Sequence, residues 1–428
     1  MLLRGEMVTL VKNSALWLLR RRSSRLVLLL LITITPLIFV ASGSRSQDGI
    51  GAVVGGRGYN LVSWEFENVL DKWLHKITSL LPWVGRSQAE QLALVEEYFR
   101  LNREIASLEP KIVRATSEEG RETLLILREI LEGRRDSIRD EVEETIEGQV
   151  SSVLSREGLS WKLPIIDNDG YLFPPVDFRF GEPPQVLAIS PRDRIELADT
   201  RLLKPDLELG DIEEIEAGVE GSAGVSALVT GTGGIATYPS VIPNTGSLRG
   251  TLRTVAHEWV HHYMVFFPLG RNYFSSDAMT TLNETIADVI GNEVGDRVLE
   301  RFYAAQSADQ PSPSQTSSSN EDTFDFNREM RITRLRVDEL LAEGKIEEAE
   351  QYLEERRLFL AENGFYLRKL NQAYFAFHGT YAARPTSVSP IGGQVEELRT
   401  RSSSLKDFVK TVSGVSNHEE LLGLLETR

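Results

Sequence analysis

The sequence predicts an α+β fold, predominantly helical, in which a small sheet packs against two chemistry-bearing helices. Three observations in the 428 residues carry that expectation. Apolar residues recur at helical spacing through residues 88–157 and again through most of the chain beyond 247. Strand-like runs broken by Gly, Pro and Asp-rich turns begin near Pro174 and fill the middle. Three of the six histidines fall within "HEWVHH", starting at His257, and an acidic helical pattern, "NETIAD", comes after it.

In order, these signals divide the chain into five segments: a cytoplasmic N-terminus with a membrane anchor at 1–45; a helical region with a long charged hairpin at 46–160; a catalytic subdomain at 161–304; a disordered polar insertion at 305–327; and a helical lobe at 328–428. The length suffices for a sizeable core. A net charge of −16 argues against a nucleic-acid surface. The absence of cysteine excludes disulfides, thiolate metal sites and cysteine nucleophiles.

The anchor is read from residues 26–41, "LVLLLLITITPLIFVA", preceded by Arg20, Arg21, Arg22 and Arg25. Sixteen charge-free residues approach the roughly 17–25 needed to cross a bilayer. The arginine flank orients the run with its N-terminus in the cytoplasm, so the expectation is a single-pass membrane protein with its catalytic domain outside. A cleaved signal peptide, cut at "ASGS", is the alternative and would give a secreted protein. "WEFENVLDKWLHKITSLLPWVG" then reads as a helix on a membrane surface or, in preference, on the body of the protein.

Two runs, "AEQLALVEEYFRLNREIASLEPKIVRA" and "ETLLILREILEGRRDSIRDEVEETIEGQVSSVL", read as an antiparallel helical hairpin with a solvated charged face and a structural or spacing role. Strands are expected at "VDFRF", "QVLAIS", "VSALVTG" and "GIATYPSVI". "GTGGIA" at Gly231 imitates a dinucleotide fingerprint, but the prolines of "TYPSVIP" deny it the helix that must face a pyrophosphate; a glycine hairpin between strands fits better. "DNDG" at Asp167 is a turn, because the calcium-loop pattern stops there. "AQSADQPSPSQTSSSN" cannot bury a core.

The chemistry lies in His257, Glu258 and His261. Residues four apart share a helix face, so both imidazoles reach one ion, and neutral imidazole suits zinc. Glu258, one step around, can take a proton from a zinc-bound water. His262 points elsewhere and is not needed. Glu284 is the expected third ligand, and Asp288, one turn on, can accept the free N–H of a ligating histidine. Two histidines and a glutamate leave a fourth position for water, the arrangement of a catalytic zinc. Met264 and Phe267 stand where a metzincin needs Gly and His. A di-iron bundle would need two E-x-x-H motifs, and a deformylase needs a cysteine ligand; the chain has neither.

"HEWVH" with the downstream "NETIAD" resembles the gluzincin metallopeptidases, which join H-E-x-x-H to an E-x-x-x-D helix. Residues 233–425, through "LLAEGKIEEAEQYLEERR" and "LNQAYFAFHGTY", are similar to a family of predicted bacterial membrane-associated aminopeptidases. The resemblance implies a zincin-like catalytic domain, Zn2+ on His257, His261 and Glu284, catalysis by Glu258, and a peptide or protein substrate. It also implies an oxyanion donor beyond the glutamate helix, for which Tyr374, His378 and Tyr381 share a helix face. "GIATYPSVI" could pair with an extended substrate or be an ordinary sheet strand. The rival reading is a catalytically inactive, membrane-tethered zincin-fold scaffold, against which the intact Glu258 counts.

Overall fold

In a computed structural model of the chain, the described residues are 49–59, 87–160, 172–307, 324–380 and 387–427. The apolar run at 26–41, the "WEFENV" helix, "DNDG", residues 308–323 of the polar insertion and Tyr381 lie outside them. One compact unit, Gln47–Leu159 together with Pro174–Arg428, holds every element named below.

The α+β, mostly helical expectation holds. No helix among the described residues is long and apolar enough to cross a membrane, which overturns the single-pass transmembrane placement. The reason is visible in the longest helices, whose sequences carry Glu, Asp or Arg in nearly every turn.

A short helix α1 (Gly49–Val54) precedes the hairpin of α2 (Gln88–Arg114) and α3 (Glu118–Arg156). Ser87 starts α2 with a reciprocal capping box to Glu90, and Ser117 caps α3 by accepting from the Gly120 amide. The strands do not form one sheet. β1 (Phe178–Gly181) pairs in parallel with β5 (Ser240–Pro243), while β2 (Gln185–Pro191) lies between antiparallel β3 (Asp199–Leu203) and β4 (Val225–Gly231). Pro183 and Pro184 separate β1 from β2, and a ladder cannot continue through residues without an N–H. Likewise the glycine stretch after β4 does not turn back as a hairpin; β4 and β5 belong to different sheets.

β3 and α4 (Leu209–Ala223) escaped the sequence reading. Gly224, in the left-handed region at φ 60°, ends α4 and turns the chain into β4. Behind this sheet Leu187, Ile189, Leu203, Ile215, Val219 and Val229 form one core cluster. Glu216 of α4 is buried beneath it, yet satisfied: it accepts from the Val229 amide and from Arg368, with Lys369 at 3.3 Å. Burial alone would raise its pKa, but Arg368, the Val229 amide and Lys369 hold it below the usual carboxylate range. A carboxylate lowered on folding contributes stability above its unfolded pKa, and that contribution fades as pH falls through the folded one. Glu216→Gln is therefore expected to cost about 2–3 kcal/mol at pH 7, with the difference from wild type shrinking below about pH 4 in urea melts. An equal cost at every pH would contradict this.

Beyond β5 come α5 (Leu248–Met264), which carries the histidine motif, a single turn α6 (Pro268–Arg271) and the long α7 (Asp277–Ser307), kinked at Tyr303. The C-terminal lobe comprises α8 (Phe326–Ala342), α9 (Ile346–Glu362), α10 (Gln372–His378), α11 (Ile391–Arg401), α12 (Leu405–Ser413) and α13 (His418–Thr427). It backs the centre through α11, where Arg399 grips Glu293 of α7 with two bonds of 2.7 Å.

The hairpin does more than present a solvated face. Glu147 and Glu143 are buried and accept from the amides of Phe178 and Phe180 at 3.0 and 2.7 Å, on the edge of β1. One helical turn of four residues, about 6 Å, matches two residues of strand, about 6.6 Å, so the two carboxylates stand in for a missing strand. From α2, Tyr98 reaches Asn244 Oδ1 at 2.5 Å, and Asn102 and Arg103 reach the carbonyls of Thr245 and Gly246. The hairpin thus holds the loop from which α5 starts.

Candidate metal centre

Ser247 caps α5 by accepting from the Gly250 amide, and the helix then runs unbroken through His257, Glu258 and His261. Glu284 and Asp288 lie one turn apart on α7, which crosses α5 at close range. A Cβ on Gly291 would stand 2.9 Å from the Arg253 carbonyl and 3.0 Å from the His257 backbone; one on Gly295 would meet Arg253 at 2.7 Å. "GNEVG" is therefore the contact face that lets the acidic helix approach the histidines. Arg253 and Arg249 of α5 close the crossing by converging on Asp296.

His257 Nε2 and His261 Nε2 are 3.1 Å apart, and Glu284 lies 3.4 Å from the first and 3.5 Å from the second. All three donors fall within 4.8 Å of one another. Ligand atoms held about 2.0–2.1 Å from a tetrahedral zinc stand roughly 3.3 Å apart, so the triangle has the right size for one ion. Asp288 Oδ1 sits 2.9 Å from His257 Nδ1, which fixes that ring with Nε2 facing inward.

The electrostatics point the same way. Burial would depress His257, but hydrogen bonds to Asp288 and Glu284 outweigh it and raise the group well above its ordinary value. Burial would raise Glu284, yet His261, His257 and the Tyr273 hydroxyl hold it down at about 2. His261 is pushed by burial down to about 4. The carboxylates demand positive charge where the two Nε2 atoms meet, a demand that a divalent cation satisfies. Burial pushes Glu258 up to about 7, into the range where a carboxyl both takes and returns a proton near neutrality.

One residue beside the candidate ligands, Tyr273, escaped the sequence reading. Tyr273, in the loop between α6 and α7, donates its hydroxyl to Glu284 Oε1, and its ring meets that of His261 edge-on at 5.8 Å. Thr280 fixes it by donating to its carbonyl at 2.8 Å. No periodicity links Tyr273 to either motif; its one signal was a tyrosine between the two helices that carry the candidate ligands. His262, set aside as unneeded, is buried with Tyr238 edge-on at 5.5 Å, and among the described residues its Nε2 has no hydrogen-bond partner. Burial holds it neutral, down at about 4.

That contact places "GGIATYP". Ile235 exchanges hydrogen bonds with Val241 of β5, extending the two-stranded sheet toward α5. Gly234 comes so near Glu258 that a Cβ would stand 2.6 Å from Oε1. Any larger residue would displace the carboxylate. Tyr374 and His378 share helix α10. That helix packs on β2 and β4, and the two rings lie tilted against each other at 4.4 Å; the residue whose hydroxyl reaches Glu284 is Tyr273. Tyr381 is outside the described residues.

Comparison of the chain with protein-family models, with curated proteins and with solved structures gives no match.

Proposed function

We propose that this chain is a zinc-dependent peptide-bond hydrolase of gluzincin type, built on a zincin-like catalytic unit. The observation that carries the reading is the convergence of His257, His261 and Glu284 on one point, beside a buried Glu258 and with Asp288 behind His257. Held by these three donors, a zinc ion would supply the Lewis acidity that such hydrolysis needs at neutral pH.

The chain's own residues account for the rest. Hydrolysis adds a hydroxyl to the carbonyl carbon and a proton to the departing nitrogen, so one group must carry that proton across. Glu258, raised to about 7, takes it at its carboxylate and returns it to the amine. Tyr273 donates its O–H to Glu284 and so orients that carboxylate toward the two imidazoles. Ile235 turns its N–H and C=O toward Val241, so Gly234 turns its own outward. An extended peptide can add there as a further strand, which orients the scissile bond over Glu258.

The test is direct. Protein loaded with one equivalent of zinc should cleave members of a peptide library, lose that activity to a chelator, and regain it with zinc. Bound zinc with no cleavage of any peptide would sink the hydrolase reading and leave a binding or scaffold role.

A further inference from the structure

We infer that the distal half of the α2–α3 hairpin docks a second copy of this chain, the two hairpins packing antiparallel through the outward face of α3 into a four-helix bundle. The inference is independent of the proposed chemistry.

Residues 118–137 of α3 contribute no buried side chain, although they span about 30 Å of helix. Leu124, Arg128, Leu131 and Arg135 are half-buried against α2. The opposite side is also apolar. Ile126 is 51% exposed, Leu127 42% and Ile130 63%, with Val113 of α2 at 81%. A solvated helix needs one apolar stripe, and this one has two.

The outward stripe continues as Ile126, Ile130, Gly133 and Ser137, spaced four, three and four, so all four lie on one face. Gly133 is the telling member. Among the described residues nothing lies within 4 Å of where its Cβ would stand, so none of them imposes a steric need for it. Glycine in a helix interior weakens the helix relative to alanine, which leaves the approach of another helix as its use.

The stripe fits itself. When two α3 helices lie antiparallel about a two-fold axis between residues 131 and 132, Ile126 of each copy faces Ser137 of the other. Ile130 then faces Gly133, so large residues meet small ones throughout. A self-complementary patch of this kind closes as a dimer. Charge permits it as well. Residues 109–137 hold six basic and seven acidic side chains, so the tips are nearly neutral on a chain of net charge −16. Two copies can meet there without the repulsion that their other surfaces carry.

Sedimentation of the full chain should show a dimer that Ile130→Glu weakens more than about tenfold. Gly133→Leu should weaken it comparably, because the added side chain fills the space Ile130 requires. Were the face merely sticky, that leucine would tighten association, and the inference would fall. The chain has no cysteine, so introduced ones report cleanly. Ile126→Cys and Ser137→Cys lie about 16 Å apart within one helix, beyond the roughly 7 Å that a disulfide tolerates. The double variant should therefore oxidise to a covalent dimer, and each single variant should not. A wild type that stays monomeric at its highest attainable concentration, or singles that cross-link as readily as the double, would overturn the inference. Circular dichroism on each variant separates lost association from lost folding.

Discussion

Glu258→Gln is expected to keep its zinc and lose peptide hydrolysis by about 10²–10⁴-fold in kcat/KM. The amide fills the same space beside Gly234, so the crossing of α5 and α7 and the three donors stay where they are. What disappears is a group able to accept a proton. Because burial raises Glu258 to about 7 and a base works when deprotonated, wild-type activity should rise with pH along an acid limb. A nearby cation favours the ionised carboxylate, which sets that limb at or below about 7. The variant should show no such limb. Metal content measured beside kcat/KM checks both halves, and activity within a few-fold of wild type would exclude Glu258 as the proton carrier.

Removing the carboxylate of the triangle should be more drastic for the metal. Glu284→Ala is expected to lower zinc affinity by more than about 100-fold, and activity at limiting zinc should fall in parallel. The substitution leaves two imidazoles that meet at 3.1 Å with no anion between them and takes away the acceptor of the Tyr273 hydroxyl. Asp288→Asn keeps all three donors and loosens only the ring of His257, so its cost should lie nearer 10–100-fold. Competition titrations against a chelator at fixed pH would order the three proteins. Wild-type affinity in Glu284→Ala would mean that the carboxylate is not a ligand.

Much of the centre was legible because it is local. Two histidines and a glutamate within five residues of one helix need only the helical repeat to share a side, and Glu284 with Asp288 repeats the argument one helix later. Helical spacing had no means of finding Tyr273, which sits in a loop and meets Glu284 through the way that loop folds back. Tyr374 and His378 do share a face of α10, as their spacing predicts, and that helix packs on β2 and β4.

The hairpin shows the other side of the limit. Its two helices and the turn between them are set by periodicity and caps, whereas the burial of Glu143 and Glu147 depends on a strand edge far away in the chain. A glutamate on a helix looks solvated until something with unsatisfied amides is laid against it. Gly291 and Gly295 were present in the pattern, yet their use became clear only when Arg253 was found against them.

By itself, then, the sequence determined the helical segments, the residue types able to bind a metal, and which of them share a helix face, since these depend on neighbours within one or two turns. Tertiary structure alone decided how the strands divide into two sheets, which tyrosine reaches the centre, and where buried carboxylates find partners. Those outcomes depend on contacts between residues far apart in the chain, and local propensity carries no information about such distances.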